Sequence, residues 1–453
     1  MTTFIKHATD LADQLITRYC RQDGLLARKA NCVEGIVADD RLLADEIGDY
    51  CQYVIALGKR TDRVDLRQWG EQQVLGLLDT CQTKNGLIYP LGKPDRVFGF
   101  FPTIRMGDTF WGLQAVYQET GNVRIGEAFR SFTAQVLGAH GYCGLPAYGL
   151  LMAGGFSTAL PLAETMSSGY VAESLIEMSR ASDNLDDLTA ARGILDGWMR
   201  ERGSRIGAFE RRGLHQHIPA LAWALDFQFR ARGRPGIRES ILTKGDTFLL
   251  FAMLAEFKIS GDPQKRQLLE NWVTHMVDDR STPDGRFFNQ WHTATGVGRS
   301  VRLEENHSAI ELLLDIAYFL EYQPALEAAT KAALCWASKV GAAGLVANDD
   351  SAEFAEIDPM LDLLVNLLKL AEIGGRPDIR DQAFAAMQAL LSGFALPYGY
   401  AHRSSMADGV PLGPVVEAKY LGLLIKGLLL FDHVERGEAI MGDQRAHLLA
   451  TDR

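Results

Sequence analysis

The chain has 453 residues, 47% apolar and 23% charged, with a formal net charge of −11. Such a length supports a large buried core, and the apolar fraction is that of a globular chain. The acidic balance, with no Lys/Arg cluster, excludes the basic face that a duplex nucleic-acid binder carries.

The elements repeat along the chain. The opening MTTFIKHATDLADQLITRY reads as an amphipathic helix. It lacks the apolar run and the small-residue cleavage site of a signal peptide, so the expected location is the cytoplasm. Leu42–Gly58 and Val64–Thr80 read as a helix pair that returns at NGLIYP. Asp108 opens DTFWGLQAVYQETGN, followed by VRIGEAFRSFTAQVLGAHG and the return CGLPAY. Gly144–Ala163 has no charge, four glycines and two prolines, so it reads as a packed loop rather than a membrane helix. Ser168–Ser182 and Leu185–Arg200 form a pair returning at SRIGAFE, and an extra helix is expected over His217–Arg232.

Asp246 then opens DTFLLFAMLAEFKISGD, with PQKRQLLENWVTHMVDD and the return DGRFFNQWH. Glu305 opens ENHSAIELLLDIAYFLEYQ, with PALEAATKAALCWASKVG and AGLVAND. Asp358 opens DPMLDLLVNLLKLAEIGG, with RPDIRDQAFAAMQALLSG and FALPYGYAH, and a last helix runs over Val416–His433. The first helix of each pair is apolar almost all round and the second carries charge on one face. Buried inner helices alternating with half-exposed outer ones predict an all-α fold, an (α/α)6 or (α/α)7 toroid in one domain spanning residues 1–453. An open solenoid, whose paired helices are both half exposed, fits less well. Repeat length, acidic residues at inner-helix starts and Gly-aromatic returns, from about Asp40 to His433, resemble the six-hairpin glycosidase-like superfamily. That resemblance implies an enzyme that cleaves or isomerises sugars.

In a toroid the inner helices all run the same way, so their N-termini ring one mouth. An acidic residue there serves as a cap and complements the helix dipole without any function. Several carboxylates around one cavity also repel, which raises at least one pKa and yields the acid–base pair of glycoside hydrolysis. The catalytic candidates are therefore Asp108 and Asp246, which share the tetrapeptide GDTF, together with Glu305 and His307 in the polar cluster EENH. Substrate-binding candidates are Arg105, Trp111, His215, Trp291, His292, Asp358, Tyr400 and His402. Arg105, three residues before Asp108, would read a uronic-acid carboxylate or pair with Asp108 itself, and the aromatic residues would face sugar rings. His215 and His217 lack further ligands at metal-site spacing, and the six cysteines contain no CxxC pair, so neither a metal nor a cofactor is expected.

The leading expectation is a glycoside hydrolase acting on a saccharide or oligosaccharide in the cytoplasm, with no membrane or nucleic-acid partner. A sugar isomerase, epimerase or polysaccharide lyase would instead use His307, His215, His402 or Tyr400 as base. A non-catalytic toroid that binds a glycan or a protein is the third possibility.

Overall fold

The structure is a computed structural model describing residues 2–42, 44–89, 98–102, 106–138, 145–146, 149–153, 156–159, 162–200, 209, 212–213, 240–293, 295–351 and 353–441. Its helices are α1 (Thr3–Arg18), α2 (Cys51–Arg60), α3 (Val64–Cys81), α4 (Gly107–Thr120), α5 (Val123–Gly138), α6 (Thr165–Ser182) and α7 (Leu185–Met199). They continue as α8 (Thr243–Ser260), α9 (Pro263–Asp278), α10 (Leu303–Leu320), α11 (Gln323–Ala337), α12 (Ile357–Gly374), α13 (Pro377–Gly393) and α14 (Ala418–Glu435).

Helices α2, α4, α6, α8, α10, α12 and α14 pack side by side in that order, and α14 returns to α2. They are the inner wall of a closed toroid. Each outer helix lies on its own inner partner: α3 on α2, α5 on α4, α7 on α6, α9 on α8, α11 on α10, and α13 on α12. The pattern of burial explains the two layers. In α12 the burial runs through Ile357, Met360, Leu361, Leu363, Leu364, Val365, Leu367 and Leu368, which is more than one face. In α9 it is restricted to Lys265, Leu268, Leu269, Trp272, Val273, His275 and Met276, mostly an i, i+3, i+4 stripe. Three outer helices each drive a fully buried indole toward the inner ring: Trp198, Trp272 and Trp336. Truncating one such side chain to Ala removes about 3–5 kcal/mol.

The helix expected at residues 1–19 completes the ring. Its α1 packs on α14, the last inner helix. Phe4 meets Phe384 at 5.7 Å and Phe431 at 5.5 Å, and Thr2 Oγ1 donates to Asp432 at 2.6 Å. Among the described residues this gives seven hairpins, the last made from the two ends of the sequence.

The returns contain short antiparallel strands rather than plain loops. Four outer helices are followed by the same seven-residue turn, closed by the bridges Cys20–Leu26, Gln82–Ile88, Ser281–Phe287 and Val340–Val346. Each turn places a glycine at positive φ: Gly24, Gly86, Gly285 and Gly344. A residue with a Cβ is strained there, which is why DG, NG or AG recurs at these points. Part of the Gly144–Ala163 segment, expected as a loop, forms strands instead: Gly149–Ala153 pairs with both Phe98–Pro102 and Phe156–Ala159. Apolar runs on either side of Gly154-Gly155 have the sequence of a hairpin. The rest of that segment lies largely outside the described residues, as does the helix expected over His217–Arg232. No helix among the described residues is long and apolar enough to cross a membrane.

Candidate active site

A cavity of about 320 Å³ opens along the toroid axis, and all seven inner helices or their starts contribute to its lining. The lining positions are set by helix geometry. At about 100° per residue, one face of a helix takes the second, fifth or sixth, ninth and thirteenth residues. The second residues are Asp108 on α4, Lys244 on α8, Glu304 on α10, Asp358 on α12 and Lys419 on α14. One turn deeper come Trp111, Tyr170, Phe248, His307, Ser308, Asp362 and Leu423. The next layers hold Glu173, Phe251, Glu311 and Lys426, then Glu177 and Asp315. The funnel is thus a stack of rings, charged at the mouth, half aromatic in the second layer and charged again below.

The aromatic half is a continuous wall. Trp111 and Tyr170 have ring centroids 4.6 Å apart, Tyr170 and Phe248 4.5 Å, and Trp111 and Phe248 6.0 Å. Gly107 makes room for this wall, since a Cβ there would lie 2.4 Å from the Tyr170 ring.

The other half is polar. His307 Nδ1 stands 3.4 Å from Asp362 Oδ2, while Asp362 Oδ1 accepts a hydrogen bond from Lys426 Nζ at 2.8 Å. Burial lowers the His307 pKa, and Asp362 only partly offsets it, so the imidazole is neutral at pH 7. Burial works against ionised Asp362, but Lys426 and His307 outweigh it and hold the carboxyl below its usual value. Deeper, Lys369 Nζ bonds Asp315 at 2.9 Å and Glu311 at 3.1 Å. Burial pushes Asp315 up to about 7 against the pull of Lys369, whose own pKa is raised to about 12 because the two carboxylates overcome its burial. Burial also disfavours the Lys419 charge, yet Asp49, Tyr420, Glu46 and Asp108 raise its pKa. At the mouth, His402 Nε2 lies 3.6 Å from Asp358 and its ring stacks on Tyr420 at 4.3 Å.

The sequence candidates divide as follows. Asp108, His307, Trp111 and Asp358 line the funnel, and His402 backs its rim through Asp358 and Tyr420. Asp246 does not line it. It is fully buried, bonded to Arg280 Nη1 at 2.7 Å and to the Phe209 N–H at 3.3 Å. Burial pushes its carboxyl up to about 7, with Arg280 pulling the other way. The reason is register: α4 begins at the glycine of GDTF, whereas α8 begins two residues earlier, at Thr243. Two residues are about 200° of rotation, so Asp246 turns to the outer layer and Lys244 occupies the place of Asp108. Glu305 is half-buried beside the lining, one residue round the helix from Glu304, and burial followed by the Glu304 charge raises its pKa. Trp291 and His292 belong to the strand Gln290–His292, paired on both edges within a return, and do not line the funnel. Tyr400 faces α1 instead, its hydroxyl 3.3 Å from His7 Nδ1. Arg105, His215 and His217 lie outside the described residues. The sequence reading did not single out Asp362, Lys426 or Lys244, and from the EENH cluster it chose Glu305 where Glu304 lines the funnel. Only the one-face spacing Glu304, His307, Glu311, Asp315 on α10 marked that side in advance.

No family model and no curated protein matches the chain in sequence. Solved structures do match it in shape. An α-1,2-mannosidase from Trichoderma reesei aligns with a TM-score of 0.60 at 10% identity, over 94% of this chain and 91% of that one. A cellobiose 2-epimerase from Bacillus thermoamylovorans gives 0.57 at 10% identity, over 96% and 100%. A D-mannose isomerase gives 0.57 at 10% identity, over 95% and 98%. The fold is therefore an α/α toroid shared with these structures. Identity near 10% carries the likeness in fold and no further.

Proposed function

We propose that the protein is a carbohydrate-active enzyme that takes a small sugar into the funnel and moves a proton with His307, as a sugar isomerase or epimerase does. The observation that carries this reading is the His307–Asp362 contact inside the cavity. Asp362 stands 3.4 Å from Nδ1 without a hydrogen bond, and its negative charge favours the tautomer with the proton on that side, leaving Nε2 as the base. Burial keeps that base uncharged at neutral pH. The wall of Trp111, Tyr170 and Phe248 suits the apolar face of a sugar ring, and the carboxylates suit its hydroxyls. A volume of about 320 Å³ is at the small end for ligand pockets. In the open-chain sugar the carbonyl acidifies the neighbouring C–H. His307 takes that proton and leaves an enediolate; a proton then returns to the adjacent carbon, with one proton passing between the two sugar oxygens, for isomerisation, or to the opposite face of the same carbon for epimerisation. The epimerase and isomerase among the structural neighbours support this reading.

Glycoside hydrolysis is the second reading. It is favoured by the three acidic residues Asp108, Glu304 and Asp358 in one mouth ring. It needs a protonated carboxyl beside an ionised one. One funnel carboxyl, Asp315, is raised to about 7 by burial, but it lies well below the mouth and is held by Lys369. The test is to incubate the protein with aldoses, ketoses and aryl glycosides in D2O and follow the products by NMR. Deuterium entering at the carbon next to the carbonyl, with loss in His307→Gln, supports proton transfer. Glycoside cleavage without such exchange supports the second reading instead.

A further inference from the structure

Nine carboxyl side chains and four lysines line the funnel, and one of those lysines has neither an ion pair nor a ring contact among the described residues. Lys426 is paired with Asp362, and Lys369 behind the wall with Glu311 and Asp315. Lys419 is surrounded by Asp49, Glu46 and Asp108. Lys258 lies over the Phe319 ring at 4.1 Å. At the mouth, Glu304 is 3.2 Å from Arg302 and Asp358 is 3.6 Å from His402. Lys244 lines the same cavity, half-buried, and has no ion-pair partner among the described residues. It is the second residue of α8, where the helix dipole disfavours a cation. Its charge acts on Glu305, His307 and Asp362, so it stands near the reacting end of the funnel.

A cation set against a helix dipole and facing a cavity, with Glu305 and Asp362 in its field but no direct ion pair among the described residues, leaves its ammonium open to a ligand anion. Resting on the sugar-active reading above, we propose that the substrate is an acidic sugar whose carboxylate or phosphate seats on Lys244. The first-turn N–H groups of α8 add to the same anion field. The neutral imidazole of His307 nearby does not compete for that anion.

The test is calorimetric titration of wild type, Lys244→Met and Lys244→Arg with glucuronate, mannuronate, glucose 6-phosphate and mannose 6-phosphate, each against neutral glucose or mannose. A charge-assisted contact is worth about 10- to 100-fold in affinity. The wild type should prefer either the uronates or the phosphates over the neutral sugar by that factor, and the class preferred identifies the anion. Lys244→Met should erase the preference, and Lys244→Arg should keep most of it. Equal affinity for acidic and neutral sugars, or a preference that survives Lys244→Met, overturns the inference while leaving the sugar-binding reading in place. Absence of binding by any sugar overturns both.

Discussion

Asp362 divides its carboxylate between two groups, Lys426 on one oxygen and His307 on the other. Asp362→Asn keeps the shape but removes the charge, and two effects follow. Its negative charge raises the His307 pKa, so its loss lets burial depress that pKa further. A neutral base works above its pKa, so the acid limb of the pH–rate profile should move to lower pH in the variant. Lys426 is left without its counter-charge, which costs about 1–3 kcal/mol, read as a lower melting temperature. His307 also shapes stability. Its folded pKa lies below the unfolded value of 6.5, so the unfolded chain takes up the proton first as pH falls. Stability from this group is fully present above pH 6.5 and declines below it, and His307→Gln should flatten that part of the melting curve against pH.

At the scale of the helix, the two copies of GDTF separate a binding position from a structural one. Asp246 and Arg280 are both fully buried, so removing one partner is expensive. Asp246→Asn, measured at pH 8 where the acid is ionised, should lose about 3–5 kcal/mol of stability by chemical denaturation. Turnover of the protein that remains folded should change little, because the pair faces away from the funnel. This difference was hidden in the sequence for a physical reason. An inner helix is apolar almost all round, so no polar stripe shows which side faces the axis. The existence of α4, α8, α10 and α12 was legible from their apolar runs, their acidic starts and the residues that end them. Gly121, Gly261 and Gly375 do adopt the left-handed conformation that closes such helices. The facing of Asp246 against Lys244, and of Glu305 against Glu304, depended on where each helix begins, to within one or two residues.

The whole molecule is a ring whose closing contact joins the two ends of the sequence. Thr2 reaches Asp432, 430 residues away, so no local pattern announces the pairing of α1 with α14. One signal was present: QDGLL after α1 has the same turn as KNGLI after α3, which marks α1 as an outer helix. Phe4→Ala should cost about 3–5 kcal/mol, because its ring fills the seam against Phe384 and Phe431. A loss below about 1 kcal/mol in denaturant unfolding would show that the seam is not a closing contact. The ring makes the funnel, and the funnel selects one face of each inner helix for chemistry. His307 and Glu305 put that to the sharpest test, since they lie two residues apart on α10 and only His307 lines the cavity. The measurement is turnover of His307→Gln and Glu305→Gln on the same sugar substrate. A general base contributes about 10²–10⁴-fold, so His307→Gln should fall by that factor while Glu305→Gln stays near wild type. The reverse order, with Glu305→Gln inactive and His307→Gln unaffected, would contradict the account.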